Sequence, residues 1–372
     1  MKQYSAALAL SLLLLGSTMA QAGGFAQPNQ SAAGAGVANA FVATANDASA
    51  MIYNPAGIAW QDGVSVTGGL TINFRDSSVE LPAGVAPNSN TEPTVGTVYA
   101  AWMPHDGRLG FGLGFSPLYQ INNNWESAFG TKTGQTKLTV DHLAADAIYA
   151  INSDLAIAVG GDWYVSRLDM SQGTQVFNGT DFAGFGGHVS LLWKPLPAWS
   201  LGVMFRSRAS MDIAGNVNDS VSLRVPDTLV AGVAHDFFDV LRLEADVNWT
   251  RWSTVNDLNV VAGGTVTQSN PLNLRDTVTL MGGVTWTWQE NSQIRLGYAY
   301  DQGANKSAGF HPAIADQDGH RVSIGVGGDG FGMHVDVAYS YVFYPKQTAT
   351  GIFAGTYRDR EQAVLISVSK IF

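Results

Sequence analysis

Four arginines carry the clearest hint of chemistry in this sequence. Arg206, Arg208, Arg242 and Arg295 stand where polar and apolar residues alternate. An arginine fork pairs bidentately with a carboxylate, so on one face of a sheet these four are candidate anchors for an anionic group. Glu244, Asp246, Asp301 and Asp336 share that inward face. Internal pairing with them is the expected state of most of the four, leaving one or two for a ligand head. A second pattern is Gly110, Gly112, Gly114 and Ser116 at alternate positions, with Pro117 next. Three residues without side chains on one strand face leave packing space, and proline removes a ladder donor. The pattern predicts room for an inner element, a kink or gap in the wall, or both. Gly325-Val326-Gly327-Gly328-Asp329-Gly330 matches G-x-G-x-x-G but has no helix after it, so the dinucleotide context fails and a hairpin turn is expected. The seven histidines, His142, His188 and His334 among them, are scattered singly. No nucleophile or metal-ligand spacing surrounds them. They are expected in polar networks, with no enzyme activity, metal or cofactor.

These side chains need strands to aim them. From Val64 onward the apolar period is two, the strand period. Fourteen candidate segments follow, from Val64–Arg75 to Gln362–Phe372, including Arg108–Tyr119, Trp199–Ile213 and Leu241–Ser253. Short connections such as Pro104–Gly107, Asn152–Asp154 and Gly328–Gly332 alternate with long ones such as Asp76–Thr94, Thr254–Asp276 and Gln302–Gly319. An even strand count with alternating short turns and long loops is the pattern of an outer-membrane barrel. Parity then sorts the faces. Leu241, Leu243, Ala245, Val247 and Trp249 oppose Arg242, Glu244, Asp246 and Asn248. A charge at the lipid midplane costs roughly 2–4 kcal/mol, so the charged face is the lumen. Trp199, Trp249, Trp252, Trp286, Trp288, Tyr298 and Tyr341 fall near strand ends and are expected in interfacial girdles.

Composition excludes the competing classes. Charged residues make up 13% against about 25% in soluble proteins, and Gly reaches 42 of 372 residues against a usual ~7%. The net charge of -10 argues against a nucleic-acid partner. There is no Cys, which excludes thiolate zinc sites and disulfide scaffolds. Lys2, the largely apolar ten-residue stretch Ala6–Leu15 and Ala20-Gln21-Ala22 read as a secretory signal peptide cut before Gly23. Residues 23–63 do not alternate and are rich in small residues. They are expected to form a compact plug. The expected organisation is a signal peptide at 1–22, an N-terminal hatch at 23–63 and an all-β transmembrane antiparallel barrel of about fourteen strands at 64–372. Phe372 closes an alternating last segment and is similar to the signal read by the outer-membrane assembly machinery.

The chain resembles the FadL/TodX family of outer-membrane transporters for hydrophobic compounds. The resemblance is carried by Gly34-Ala35-Gly36-Val37-Ala38-Asn39-Ala40-Phe41-Val42-Ala43, Asp47-Ala48-Ser49-Ala50 and Tyr53-Asn54-Pro55-Ala56-Gly57. Leu243-Glu244-Ala245-Asp246-Val247-Asn248-Trp249-Thr250-Arg251-Trp252-Ser253 and Arg295-Leu296-Gly297-Tyr298-Ala299-Tyr300-Asp301 add to it. It implies passive uptake of long-chain fatty acids or similar ligands through an apolar lumen pocket. Exit is implied to be lateral, through a gap at the third strand. Asn54, Pro55 and Ala56 are then implied to be hatch residues beside that gap, and Gly112, Gly114 and Ser116 to belong to the kink. The expected setting is a monomer in the outer membrane of a Gram-negative bacterium, surrounded by lipid or detergent. The alternatives are a diffusion porin for small hydrophilic solutes, or the same fold carrying aromatic hydrocarbons or exporting modified fatty acids.

Overall fold

The structure, a computed structural model, describes residues 25–88, 94–130, 134–172, 175–215, 219–255, 257–262, 265–271, 274–304 and 317–372. The signal-peptide segment and its cleavage site lie outside the described residues. Among the described residues, fourteen antiparallel strands form one closed wall. They are β1 (Gly63–Leu81), β2 (Val95–Met103), β3 (Leu109–Asn124), β4 (Gln135–Ala150), β5 (Leu155–Gln172) and β6 (Gln175–Leu196). Then come β7 (Trp199–Arg206, resuming as Ala209–Gly215), β8 (Asp219–Val225, resuming as Thr228–Phe237) and β9 (Leu241–Thr250). The wall is completed by β10 (Thr277–Gln289), β11 (Ser292–Asp301), β12 (Gly319–Gly330), β13 (Met333–Phe343) and β14 (Gly355–Ile371). Each strand pairs with the next, and β14 returns to β1 from Ser65↔Ile371 to Glu80↔Thr356. Closure leaves no sheet edge at that seam, as a spanning sheet requires.

Alternation sets the faces as the sequence pattern predicts. On β9 Leu243 and Val247 are exposed to the outside, while Glu244 and Asp246 are buried inside. On β3 the outward Phe111, Leu113 and Phe115 are exposed, and inward Gly110 and Gly112 are buried. Strands at the long-loop end run further than their apolar pattern indicates. The segment predicted as the Asp169–Asp181 loop is largely strand, and β14 starts at Gly355 instead of Gln362. Polar residues there still pair in the ladder, and periodicity of apolar residues does not register them. Gly325–Gly330 belongs to β12, and the turn follows at Phe331 and Gly332, both at positive φ (56° and 72°). The G-x-G-x-x-G run is thus strand, with the hairpin turn just beyond it.

The N-terminal segment packs inside the wall. Ala32–Gly36 forms a short helix, α1, capped by the Ser31 hydroxyl, which accepts from Gly34 N at 3.1 Å. Ala50–Tyr53 forms α2, and Pro55–Ile58 forms a 3-10 turn capped by Asn54. Small residues suit this position because the lumen is already lined with side chains. The wall makes room in return. A Cβ at Gly202 would overlap the Val42 carbonyl, one at Gly297 the Val37–Ala38 backbone, and one at Gly232 the Asp246 carboxylate. The inward glycines of β7, β8, β10, β11 and β12 thus form a shallow bed on which residues 36–43 lie. One wall tryptophan departs from the girdle expectation. Trp252 is buried, in a 3-10 turn after β9, with its ring centroid 4.8 Å from that of Phe25.

Candidate functional site

The third strand leaves its neighbour part-way up the wall. β2 and β3 pair from Trp102↔Phe111 to Val98↔Phe115 and no further. β2 continues to Val95 on the β1 side alone. Beyond Ser116 the alternation on β3 is lost, and every residue from Ser116 to Asn123 is buried. The ladder to β4 slips at Pro117–Tyr119, leaving Leu118 as a bulge. Proline explains the place: it has no N–H to offer β2. The edge that β2 abandons is taken by the N-terminal segment. Gln27 N donates to Leu118 O at 2.7 Å and Gln120 N to Phe25 O at 2.9 Å. Gln30 Nε2 donates to Pro117 O at 2.9 Å. The glycine stripe lies just below. Gly112 and Gly114 back Met51 of α2, which a Cβ at Gly112 would overlap. The stripe makes packing room, while the kink itself begins at Ser116–Pro117.

A cavity of about 190 Å³ lies between this inner edge and the far wall. Ala26, Gln27 and Pro28 border it on one side, Leu118 and Tyr119 on another, and Arg206 and Arg321 reach it from β7 and β12. Of the four predicted arginines, one meets it. Arg206 is 8% exposed, with Nε 3.3 Å from Asp162 Oδ1 and Nη2 without a hydrogen-bond partner among the described residues. Arg208 is not inward. β7 breaks at Ser207–Arg208, the parity flips, and Arg208 is exposed while Ala209 and Met211 are buried. Arg242 is bidentate to Asp236 at 2.5 and 2.9 Å, away from the cavity. Arg295 pairs with Asp336 at 2.5 Å beneath Gly36 of α1. Arg295–Asp336 is one of the expected internal pairs, whereas Arg242 takes a carboxylate outside the expected set in a pair about a third exposed.

Arg321 escaped the sequence reading. It is 5% exposed, lines the cavity, and leaves Nε without a hydrogen-bond partner among the described residues. Its Nη1 lies 3.4 Å from Asn29 Oδ1. Inward parity on the His320–Gly327 segment was the available signal. Glu244 and Asp246 also act otherwise than predicted. Among the described residues neither forms an ion pair with an arginine. Asp246 Oδ2 accepts from Phe41 N at 2.8 Å and Val42 N at 3.0 Å, and Glu244 accepts from Ala43 N at 2.7 Å and from the Thr44 hydroxyl. The two carboxylates fasten the N-terminal segment to β9. Asn54 does the same against β6. Its Nδ2 donates to Val42 O at 2.7 Å and Leu191 O at 3.1 Å, and Ala56 N reaches Ser190 Oγ at 3.2 Å. Asn54 and Ala56 are therefore hydrogen-bonded to β6, and the 3-10 turn they open packs on β4, β5 and β6.

Two of the scattered histidines converge. His142 Nε2 is 2.6 Å from Asp162 Oδ1, and His188 spans two carboxylates, Nδ1 to Asp162 at 2.9 Å and Nε2 to Asp146 at 2.5 Å. Together with Arg206 they form one buried network across β4–β7. Among the described residues there is no cluster able to hold a metal ion.

A closed even-stranded barrel, charged within and apolar without, holding its own N-terminal segment around a small cavity, defines a plugged outer-membrane channel. The chain belongs to the outer membrane protein transport protein family (OMPP1/FadL/TodX), whose model matches residues 13–354. It is thus an outer-membrane transporter of hydrophobic compounds in a Gram-negative bacterium. It is 22% identical over 382 residues to the long-chain fatty acid transport protein of Salmonella typhi, covering 86% of each chain. It is 21% identical to outer membrane protein P1 of Haemophilus influenzae, covering 92% of this chain and 90% of that one. Among solved structures, a Pseudomonas aeruginosa FadL homologue matches at TM-score 0.79 and 19% identity, over 94% of this chain and 100% of the other. The P. putida toluene transporter TodX matches at 0.70 and 17%, over 91% and 98%.

Proposed function

We propose that the protein takes up an amphipathic acyl ligand with an anionic head, of the fatty-acid type, and releases it sideways between β2 and β3. The observation that carries this is the stretch of β3 from Ser116 onward, which stays in the ladder to β4 but has left β2, with a cavity on its inner side and the N-terminal segment hydrogen-bonded to Leu118 and Gln120. Two buried arginines with unpartnered N–H groups border that cavity and suit a carboxylate. Burial of the acyl chain supplies about 0.8 kcal/mol per methylene, so the lumen competes with a poorly solvating outer leaflet for the ligand. The cavity, about 190 Å³, is smaller than the ~300–1,000 Å³ of a drug-sized pocket. A long chain therefore requires Ala26–Pro28 to withdraw, and the same withdrawal bares the β3 edge.

In this reading residues 1–22 are removed as a signal peptide and residues 23–63 serve as the hatch. Asn54, Pro55 and Ala56 anchor the hatch, Gly112 and Gly114 give it room, Gly110 makes space for Met103 of the wall, and Ser116 begins the exit. Phe372 serves assembly, and the barrel works as a monomer. The names of the relatives support an acyl cargo. A second reading, a monoaromatic hydrocarbon, is favoured by the small cavity and by the toluene-transporter neighbour. Mass spectrometry of ligand extracted from the purified barrel separates them. A carboxylic acid with an alkyl chain is expected, and a neutral aromatic overturns the acyl reading. Planar-bilayer recordings are expected to show no steady conductance, and a large steady conductance overturns the plugged transporter in favour of a porin.

A further inference from the structure

Towards the long loops, the outer face of β11–β14 and β1 turns polar along one register row. Tyr300, His320, Phe343, Arg360 and Asp76 are successive partners across these five strands. One row nearer the apolar band, Val322, Tyr341 and Phe74 are still apolar or aromatic. Rings with a polar edge gather at this change. His320 stacks on Phe343 with centroids 5.1 Å apart, and the Tyr298 hydroxyl lies 2.8 Å from His320 Nδ1. The Tyr339 hydroxyl donates to Gln362 Oε1 at 2.8 Å. Amphipathic rings settle at the membrane–water interface, so Arg360 stands at the level of the lipid head groups.

Cations outnumber carboxylates there. Arg358 and Arg360 are exposed on the outward parity of β14, while Tyr357 and Asp359 on the other parity are buried. A short strand at Gln347–Ala349 pairs Gln347 with Tyr357, which brings the exposed Lys346 beside Arg358. Two carboxylates of β1 face these three cations. Glu80 holds Arg358 at 2.5 Å, with both side chains half exposed, and Asp76 is the register partner of Arg360. Among the described residues neither Arg360 nor Lys346 makes a hydrogen bond or an ion pair. The outward cations of β4 and β5 are matched instead: Lys137 faces Asp169 in register, and Arg167 lies near Asp141. In a chain of net charge -10, the β13–β14 patch is a local surplus of positive charge.

We infer that the outer face of β13–β14 binds phosphate groups of the outer-leaflet glycolipid. Lys346, Arg358 and Arg360 hold the phosphate, and the ring belt at His320 and Phe343 supports the sugar and the start of the acyl chains. Charge complementarity selects this partner. The outer leaflet of a Gram-negative outer membrane is built from a glycolipid phosphorylated on its sugars, with the phosphates close to where the acyl chains begin. An arginine fork suits a phosphate, and the free guanidinium of Arg360 meets one without breaking an existing bond. A zwitterionic phospholipid brings no net charge to such a patch. The site lies on the outer wall, so it depends neither on the cargo nor on its route out of the barrel.

The test titrates the purified full-length barrel, in a neutral detergent with a chelator present, with two probes: lipopolysaccharide and the same lipopolysaccharide stripped of its phosphates. The wild type is expected to bind the phosphorylated probe at least about tenfold more tightly. In the triple variant Lys346→Gln, Arg358→Gln, Arg360→Gln the ratio of affinities is expected to fall to near one. The pair Lys137→Gln, Arg167→Gln, on the matched patch, is expected to keep the wild-type ratio. A wild type that binds both probes equally overturns the site, and so does a triple variant that keeps the ratio. A matched-patch variant that loses as much as the triple variant overturns it too, because attraction would then follow overall charge. Arg360→Gln alone breaks no ion pair and is expected to lose part of the ratio. If the triple variant does not assemble, this single variant decides, and an unchanged ratio in it overturns the proposal.

Discussion

At the residue scale, one of the four arginines read as candidates, Arg206, lines the cavity, and Arg321, which was not among them, joins it there. Arg206 was visible because its parity on the Trp199–Ile213 segment is inward. Arg208, two positions on, shares that parity in sequence but not in space. The strand breaks between them, and an alternating pattern has no mark for a break that leaves polar and apolar residues in plausible order. Arg321 lines the same cavity yet stood in a segment where no charge partner drew notice. Hydrogen bonds to charged groups contribute roughly 1.5–3 kcal/mol. Arg206→Ala and Arg321→Ala are each expected to weaken binding of a fatty acid by about 10- to 100-fold. Affinity for the matching alcohol is expected to stay within about twofold, since the alcohol brings no charge for the guanidinium to pair. Titration of the purified barrel with both ligands checks this, and equal losses for acid and alcohol would remove the anchoring role.

At the element scale, the wall strands were legible almost completely and the inner segment was not. Strands announce themselves by period two, and each of the fourteen expected segments overlaps one wall strand. The N-terminal segment has no such period, because it is buried on every side by small residues. How it is held depends on partners far away in sequence, above all Asp246, Glu244 and the glycine bed. Those partners looked like ion-pair members and turn glycines when read alone. The structure makes their removal informative. Asp246→Ala strands two buried backbone N–H groups, at about 1–3 kcal/mol each. Gly202→Val drives a side chain into the Val42 carbonyl. Both variants are expected to assemble as barrels, because neither touches the lipid face, yet to loosen the inner segment. The check is a planar-bilayer recording, with frequent open steps expected in the variants and few in the wild type, alongside faster protease cleavage within residues 25–62.

At the scale of the whole molecule, low charge and excess glycine acquire separate causes. Charges are rare because an entire face of the wall meets lipid, with exposed Phe111, Leu113, Trp163 and Phe185 across β3–β6. Glycine is abundant because the same wall must accept an inner segment at backbone distance. β2 and β3 part above the Val98–Phe115 pair, and there the N-terminal segment hydrogen-bonds to the edge that β2 leaves. The account therefore turns on whether that segment must leave for cargo to pass. Ala26 and Tyr119 form a bridge flanked by the Gln27–Leu118 and Gln120–Phe25 hydrogen bonds. That is the non-hydrogen-bonded antiparallel pair, with Cα atoms about 4.5 Å apart, within disulfide range. The chain has no Cys of its own, so Ala26→Cys with Tyr119→Cys gives a single lock. The direct measurement is fatty-acid uptake by cells carrying this double variant, oxidised and then reduced. The account predicts uptake at least about tenfold lower in the oxidised state, a difference of about 1.4 kcal/mol or more in the barrier, with recovery on reduction. Equal uptake in both states, with the disulfide verified as formed, would contradict it.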